Sequence, residues 1–177
     1  KADDIDNIWN VFEAALRLAD NDTEQNRKEF SKWYDLVHDQ RCIRWNITMG
    51  LYWIRPYTYI NLDSRNRWYI SNVENMPAEF VDSIKKKINK VPNATDYLFI
   101  KDACIKALEV GSYEYQNYPE LSYSAWIVSE QVNRQKEAVN GKKLSNAAFL
   151  RWFKPLIQAL RDCLLYTSDA ADEGLGV

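Results

Sequence analysis

Three arginines, Arg55, Arg65 and Arg67, fall in one aromatic stretch, "GLYWIRPYTYINLDSRNRWYI", running from Gly50 to Ile70. A guanidinium binds phosphate through parallel hydrogen bonds and stacks on flat rings. Tyr57 and Trp68, with Tyr59 and Tyr69 beside them, offer the faces on which unpaired bases stack. An aromatic cleft with polar anchors is also how an extruded base is held. Arg55, Arg65, Arg67, Tyr57 and Trp68 are therefore the candidate nucleic-acid-binding residues. A competing account makes Leu51, Trp53, Ile54, Ile60, Leu62 and Ile70 core, with the arginines paired or snorkelling at its rim.

Other chemistry is sparse. There is no GxxxxGK[ST] phosphate loop and no GxGxxG, so neither common nucleotide-binding signature occurs. The one histidine, His38, has Asp35 three residues before it and Asp39 next to it. That spacing can tune a general base, but a surface helix residue is the expectation. Cys42 and Cys104 stand far apart, without metal spacing and without a recognisable base, and are expected to be buried thiols in a reducing cytoplasm. Asp63 reads as a helix cap rather than as half of a carboxylate pair with Glu74 or Glu79. No catalytic residue, cofactor or metal site is expected, and the sequons at Asn21, Asn46 and Asn93 read as chance matches.

The elements that carry these residues are mostly helical. Residues 3–19 set Ile5, Ile8, Trp9, Phe12, Ala15, Leu16 and Ala19 on one face, the spacing of an amphipathic helix. Asp22 or Thr23 caps a second helix over 24–39, with Phe30, Trp33, Tyr34 and Val37 inward. Residues 41–54 read as a continuous buried helix ended by Pro56. "YTYINLD" has extended character, and Asp63 or Ser64 caps a short helix after it. Pro77 opens a helix over 77–89. Another runs from "VPNATDYLF" to Val110, where Gly111 stops it. The Tyr-rich loop "SYEYQNYPE" leads to helix 119–138, with Leu121, Ala125, Trp126 and Val128 inward. "NGKKLSN" at 140–146 is a turn, and a last helix from Asn146 carries Pro155. The fold class is mainly α, an irregular multi-helix domain with at most one short strand pair.

The 177 residues begin with Lys1, in a segment that is no signal peptide, and read as a piece of a longer cytoplasmic chain. No apolar run reaches the length of a membrane span. Back-translated, Cys163 to Glu173 resembles the read-through of a transposase-based sequencing adapter, so 163–177 is read as an artefact tail. Formal net charge is −2. Without the tail's Asp169, Asp172 and Glu173, 23 basic residues face 22 acidic ones and the net charge is +1. A balance so near zero leaves the clustering of charge to decide between partners.

The Gly50–Ile70 stretch and the later "YPELSYSAW" resemble the region preceding the motor in McrB-type AAA+ restriction NTPases. "FLRWFKPLIQALRD", Phe149 to Asp162, is similar to the first helix of the winged-helix domain at the N-terminus of Mrr-type restriction proteins. The resemblance implies an accessory domain over 1–145, the first helix of a truncated winged helix over 146–162, and a motor beyond it. It also implies a non-catalytic DNA-targeting or assembly role in a modification-dependent restriction system, with DNA and the downstream motor as partners. The alternative is a structural or protein-interaction module that touches no nucleic acid. Pairing of Arg65 and Arg67 with carboxylates inside the fold favours this alternative.

Overall fold

Thr23, Asp63 and Asn93 set where three helices begin. Each has extended backbone, and its side-chain oxygen accepts the N–H of Asn26, Asn66 or Asp96 respectively. Those bonds satisfy donors that a first helical turn otherwise leaves open. The computed structural model describes residues 4–40, 42–111, 113 and 115–139. Among these the chain forms seven helices: α1 (Asp4–Asp20), α2 (Glu24–Val37), α3 (Asn46–Ile54), α4 (Ser64–Ile70), α5 (Ala78–Ile84), α6 (Ala94–Val110) and α7 (Tyr118–Val139). No strand occurs among the described residues. The fold is a mainly-α, irregular multi-helix domain, as the spacing predicts.

The chain divides into two compact units, Lys1–Gln131 and Val132–Val177. The described part of the second is the end of α7, Val132–Val139. The expected turn at 140–146, the boundary at 145, the winged-helix segment at 146–162 and the tail at 163–177 lie outside the described residues.

In the first unit α1 packs along α2, α2 and α5 meet α6, and α3 touches α1. The core centres on rings. Phe30, Tyr34, Tyr59 and Tyr97 are wholly buried. Phe30 stacks on Tyr59 with centroids 5.9 Å apart, and Tyr34 on Tyr97 at 5.4 Å. Such offset pairs add to the stabilisation from area burial alone. A buried phenol also needs a partner for its hydroxyl. Tyr59 donates to the Ala15 carbonyl (2.6 Å), Tyr97 to Ile60 (3.0 Å) and Tyr118 to Lys101 (2.8 Å). The Tyr34 hydroxyl has no partner among the described residues. Burial raises the pKa of all four phenols, so they stay neutral donors.

Several elements depart from the sequence expectation. α1 turns Val11, Ala14, Ala15 and Leu18 to the core and leaves Ile5 and Trp9 exposed. The small side chains at 14 and 15 let α1 lie close on α2, and that contact outweighs the larger apolar stripe. The buried helix expected over 41–54 begins only at Asn46. Before it, Cys42 (φ 73°) and Arg44 (φ 40°) are left-handed, a backbone that a right-handed helix cannot contain. Cys42 is exposed rather than buried; Cys104 is buried, and burial pushes its thiol up to about 12, which leaves it unreactive at neutral pH. Trp53 and Trp126, expected inward, are exposed. α5 stops at Ile84 instead of residue 89.

A charge network ties the α1–α2 turn to α6. Arg27 grips Asp22 through Nε (2.5 Å) and Nη2 (2.6 Å) and reaches Asp102 through Nη1 (2.6 Å). Lys101, nearly buried, pairs with the other oxygen of Asp102 at 2.9 Å. The bond from Arg27 holds the Asp22 carboxyl below its usual pKa. Burial pushes the Asp102 carboxyl up, but the bonds from Arg27 and Lys101 outweigh it and the net direction is down. A carboxyl lowered in the folded state contributes stability above its unfolded pKa, and that contribution is lost as pH falls through the folded value. The melting-temperature gap between the native chain and Asp102→Asn is therefore expected to be widest near pH 7 and to close below pH ~3. A gap that is the same at both ends of a pH series of thermal melts contradicts this assignment.

Candidate functional site: the arginine stretch and a tyrosine-lined cleft

The turn after α3 and the helix α4 carry the candidate arginines, and each arginine turns to a different neighbour. Arg55 caps the C-terminus of α3, donates to the Ile54 carbonyl (3.0 Å) and reaches Asp20 at the end of α1 (3.4 Å). Arg65 bonds Glu130 of α7 at 2.7 Å. Arg67 lies over the Trp45 ring, 3.7 Å from its centroid, and donates to the Leu62 carbonyl (3.1 Å). Its burial lowers the guanidinium pKa, against a smaller opposing effect of Asp63.

A cation already satisfied from within its chain must lose that partner before it can bind phosphate, and three cations aimed apart do not track one backbone. Of the candidate rings, Tyr57 is 72% exposed on the turn and Trp68 39% exposed on α4. Of the residues the core account names, Leu51, Ile60, Leu62 and Ile70 are buried, Ile54 is partly buried and Trp53 is exposed.

Of that stretch, Tyr69 is the ring that meets others from later in the chain. Tyr69 of α4, Tyr113 and Tyr115 of the α6–α7 connection and Tyr123 of α7 line a cleft of about 570 Å³. Glu74 and Asn75, from the turn after α4, close one side of it, and Ser124, Ile127, Val128 and Gln131 supply the α7 wall. Positions 124, 127, 128 and 131 share one helical face.

The tyrosine wall is held before any ligand arrives. Tyr115 donates to the Asn75 carbonyl (3.2 Å), so the proton between the Tyr69 and Tyr115 hydroxyls (3.0 Å) belongs to Tyr69. The Tyr69 and Tyr115 rings meet edge to face at 64°, and Tyr113 stacks on Tyr115 with centroids 5.1 Å apart. Burial raises the pKa of Tyr113 and Tyr115, so these phenols remain neutral. Gly111 makes room for this arrangement: a Cβ there would fall 2.0 Å from Cε2 of Tyr113.

Among the described residues, Glu74 is the one charged residue lining the cleft. Its carboxylate receives only a long bond from Asn72 (3.4 Å) and is ion-paired with no described residue. The sequence marks 112–120 as a Tyr-rich loop. Alternation at 113 and 115, two residues apart, was the available signal that both rings face one way. Tyr69 lies 46 positions before its partner Tyr115, too distant in the chain to be found by spacing.

A second, smaller cleft of about 370 Å³ gathers His38, Asp39, Arg44, Lys90, Val91 and Asn93. Arg44 and Lys90 are exposed, and neither is ion-paired with a described residue. His38 is half-buried at the C-terminus of α2 and stacks on Tyr34. No group of three or more His, Cys, Asp or Glu that could hold a metal ion occurs among the described residues, and none of the described helices is long and apolar enough to cross a membrane.

A family model described as a domain of unknown function (DUF8425) matches residues 1–128. No curated protein and no solved structure matches the chain.

Proposed function

Since the chain belongs to the DUF8425 family, whose description assigns no function, we propose its role from its surface: a non-catalytic protein-interaction module that recognises its partner at the tyrosine cleft. One observation carries this reading. Arg55, Arg65 and Arg67 are engaged by Asp20, by Glu130, and by Trp45 with Leu62, whereas the cleft is lined by four tyrosines and a carboxylate, Glu74, that is ion-paired with no described residue. Concave, mostly apolar sites with a few convergent polar groups are where ligands bind.

A second reading, contact with DNA in a restriction NTPase, is favoured by the Arg44–Lys90 cleft. In that reading Arg44 and Lys90 replace Arg55, Arg65 and Arg67 as the phosphate contacts.

Binding of labelled duplex DNA to the whole chain across a salt series tests both. The interaction reading expects affinity no tighter than the non-specific range, about 10⁻⁴–10⁻⁶ M at physiological salt. It also expects no change in salt slope for Arg55→Gln or Arg65→Gln. A slope that falls by about 1 in Arg44→Gln or Lys90→Gln establishes phosphate contact and overturns it in favour of the second reading.

A further inference from the structure

We infer that the tyrosine cleft takes an arginine side chain of the partner protein, its guanidinium held between Glu74 and Asn75 on one side and Ser124 and Gln131 of α7 on the other. The inference rests on the proposed recognition role of this cleft and names the group that is recognised. Glu74 supplies the only formal charge among the described lining residues, and no Lys, Arg or His stands among them. One of its oxygens receives the long bond from Asn72 (3.4 Å), and neither meets a described cation. An anionic side chain would meet a like charge here and no counter-charge, which opposes binding, whereas a cation finds the complementary sign.

Hydrogen bonding within the cleft leaves acceptors over. Three donors of its inner wall are spent inside the fold. The Tyr69 hydroxyl gives its proton to Tyr115, Tyr115 donates to the Asn75 carbonyl (3.2 Å), and the Asn75 side-chain amide donates to the Tyr69 carbonyl (3.2 Å). With its nitrogen fixed, the Asn75 side chain keeps an oxygen that receives no bond from a described residue, and Glu74 keeps a second such oxygen. Ser124 and Gln131, on the α7 wall, bond no described residue through their side chains, and each can accept as well as donate. A group rich in donors and without acceptors fits this remainder.

The placement of the acceptors selects guanidinium over ammonium. They come from two walls, the turn after α4 and the face of α7, around a space of about 570 Å³. An ammonium directs three donors from a single atom, so it serves one wall at a time. A guanidinium spreads five along the edges of a plane and reaches both. It is also the more weakly hydrated of the two and gives up water more readily on entering a cleft. Ile127 and Val128 of the α7 wall suit its carbon stem, since arginine packs its methylenes on apolar surface while the charged end keeps polar company.

The test titrates the whole chain with three acetylated, amidated tripeptides in which alanines flank arginine, lysine or citrulline, the uncharged isostere of arginine. The readout is the side-chain amide signals of Asn75 and Gln131 and the backbone amide of Glu74 in two-dimensional NMR. The arginine peptide is expected to shift these signals saturably and to bind about two- to fivefold more tightly than the citrulline peptide, an advantage that Glu74→Gln is expected to abolish. Gln131→Ala is expected to weaken the arginine peptide and to leave the lysine peptide unchanged. Both positions are exposed, and the dispersion of the remaining spectrum is expected to show that the variants are folded. An arginine peptide indifferent to Gln131→Ala overturns the two-walled geometry, and lysine binding as tightly as arginine overturns the choice of guanidinium. Citrulline binding as tightly as arginine overturns the cationic class but leaves the cleft as a recognition surface. Perturbation by none of the three peptides overturns the inference outright, and the DNA salt series decides the wider reading independently.

Discussion

Tyr59→Ala is expected to destabilise the chain by about 3–5 kcal/mol. Tyr59 follows Pro56 by three residues and belongs to an irregular segment, yet it is wholly buried. Its ring fills the space between α1, α2 and α6, stacked on Phe30 and 6.5 Å from the Tyr97 centroid. Truncation removes that burial and opens a cavity among rings, which cannot collapse as readily as aliphatic chains. The hydroxyl is worth less. Ala15 lies inside α1, so its carbonyl keeps an intrahelical donor when the phenol's proton is removed. Tyr59→Phe is therefore expected to cost only about 1 kcal/mol. Urea denaturation of the two variants separates the contributions. A loss below about 1.5 kcal/mol for Tyr59→Ala is incompatible with the packing described. Through Tyr59 the turn that holds Arg55 and Tyr57 is pinned to α1, so their placement is set by the core.

What the sequence made legible was local. Thr23 and Asp63, each offered beside one alternative, are readable as caps because the bond each makes spans three residues; Asn93 makes the same bond at the start of α6, a cap that the sequence expectation does not name. The α2 stripe of Phe30, Tyr34 and Val37 is readable because period and burial agree.

The errors arose where a distant contact overrode a local pattern. On α1 the expected face holds at Ala15 and partly at Ile8, Phe12 and Ala19, but Ile5 and Trp9 stay exposed while Val11, Ala14 and Leu18 turn inward, where α2 lies against them. The helix expected from residue 41 fails at Cys42 and Arg44, whose left-handed backbone no residue type announces; glycine or asparagine would have marked it. Trp45 gives no hint that it lies beneath Arg67, since 22 positions separate them. In the arginine stretch residue types alone do not separate stacking on a ligand from stacking within the fold, since arginine and aromatic residues serve both. The cleft was half legible: the Tyr-rich loop stood out, but Tyr69 joins it across 46 residues.

Thr48→Val is expected to cost about 1–3 kcal/mol although it keeps the side chain's volume and branching. Thr48 is wholly buried in α3. Its hydroxyl donates to the Trp45 carbonyl (2.8 Å) and accepts the N–H of Leu62 (3.0 Å). "YTYINLD" forms no sheet ladder, so the buried Leu62 N–H depends on this hydroxyl. Valine leaves that donor unsatisfied in the core, and an orphaned buried donor costs more than the average bond contributes. Thr48→Ser keeps both bonds and loses one methyl, so its expected cost is about 1 kcal/mol.

The consequence reaches the cleft. Leu62 also accepts from Arg67, and Asp63 after it caps α4, the helix that carries Tyr69. In Thr48→Val, amide hydrogen exchange is expected to quicken first at Leu62 and through α4, before the α1–α2 pair is affected. Uniform quickening across all helices would show that Thr48 supports the whole core equally and has no particular hold on the start of α4.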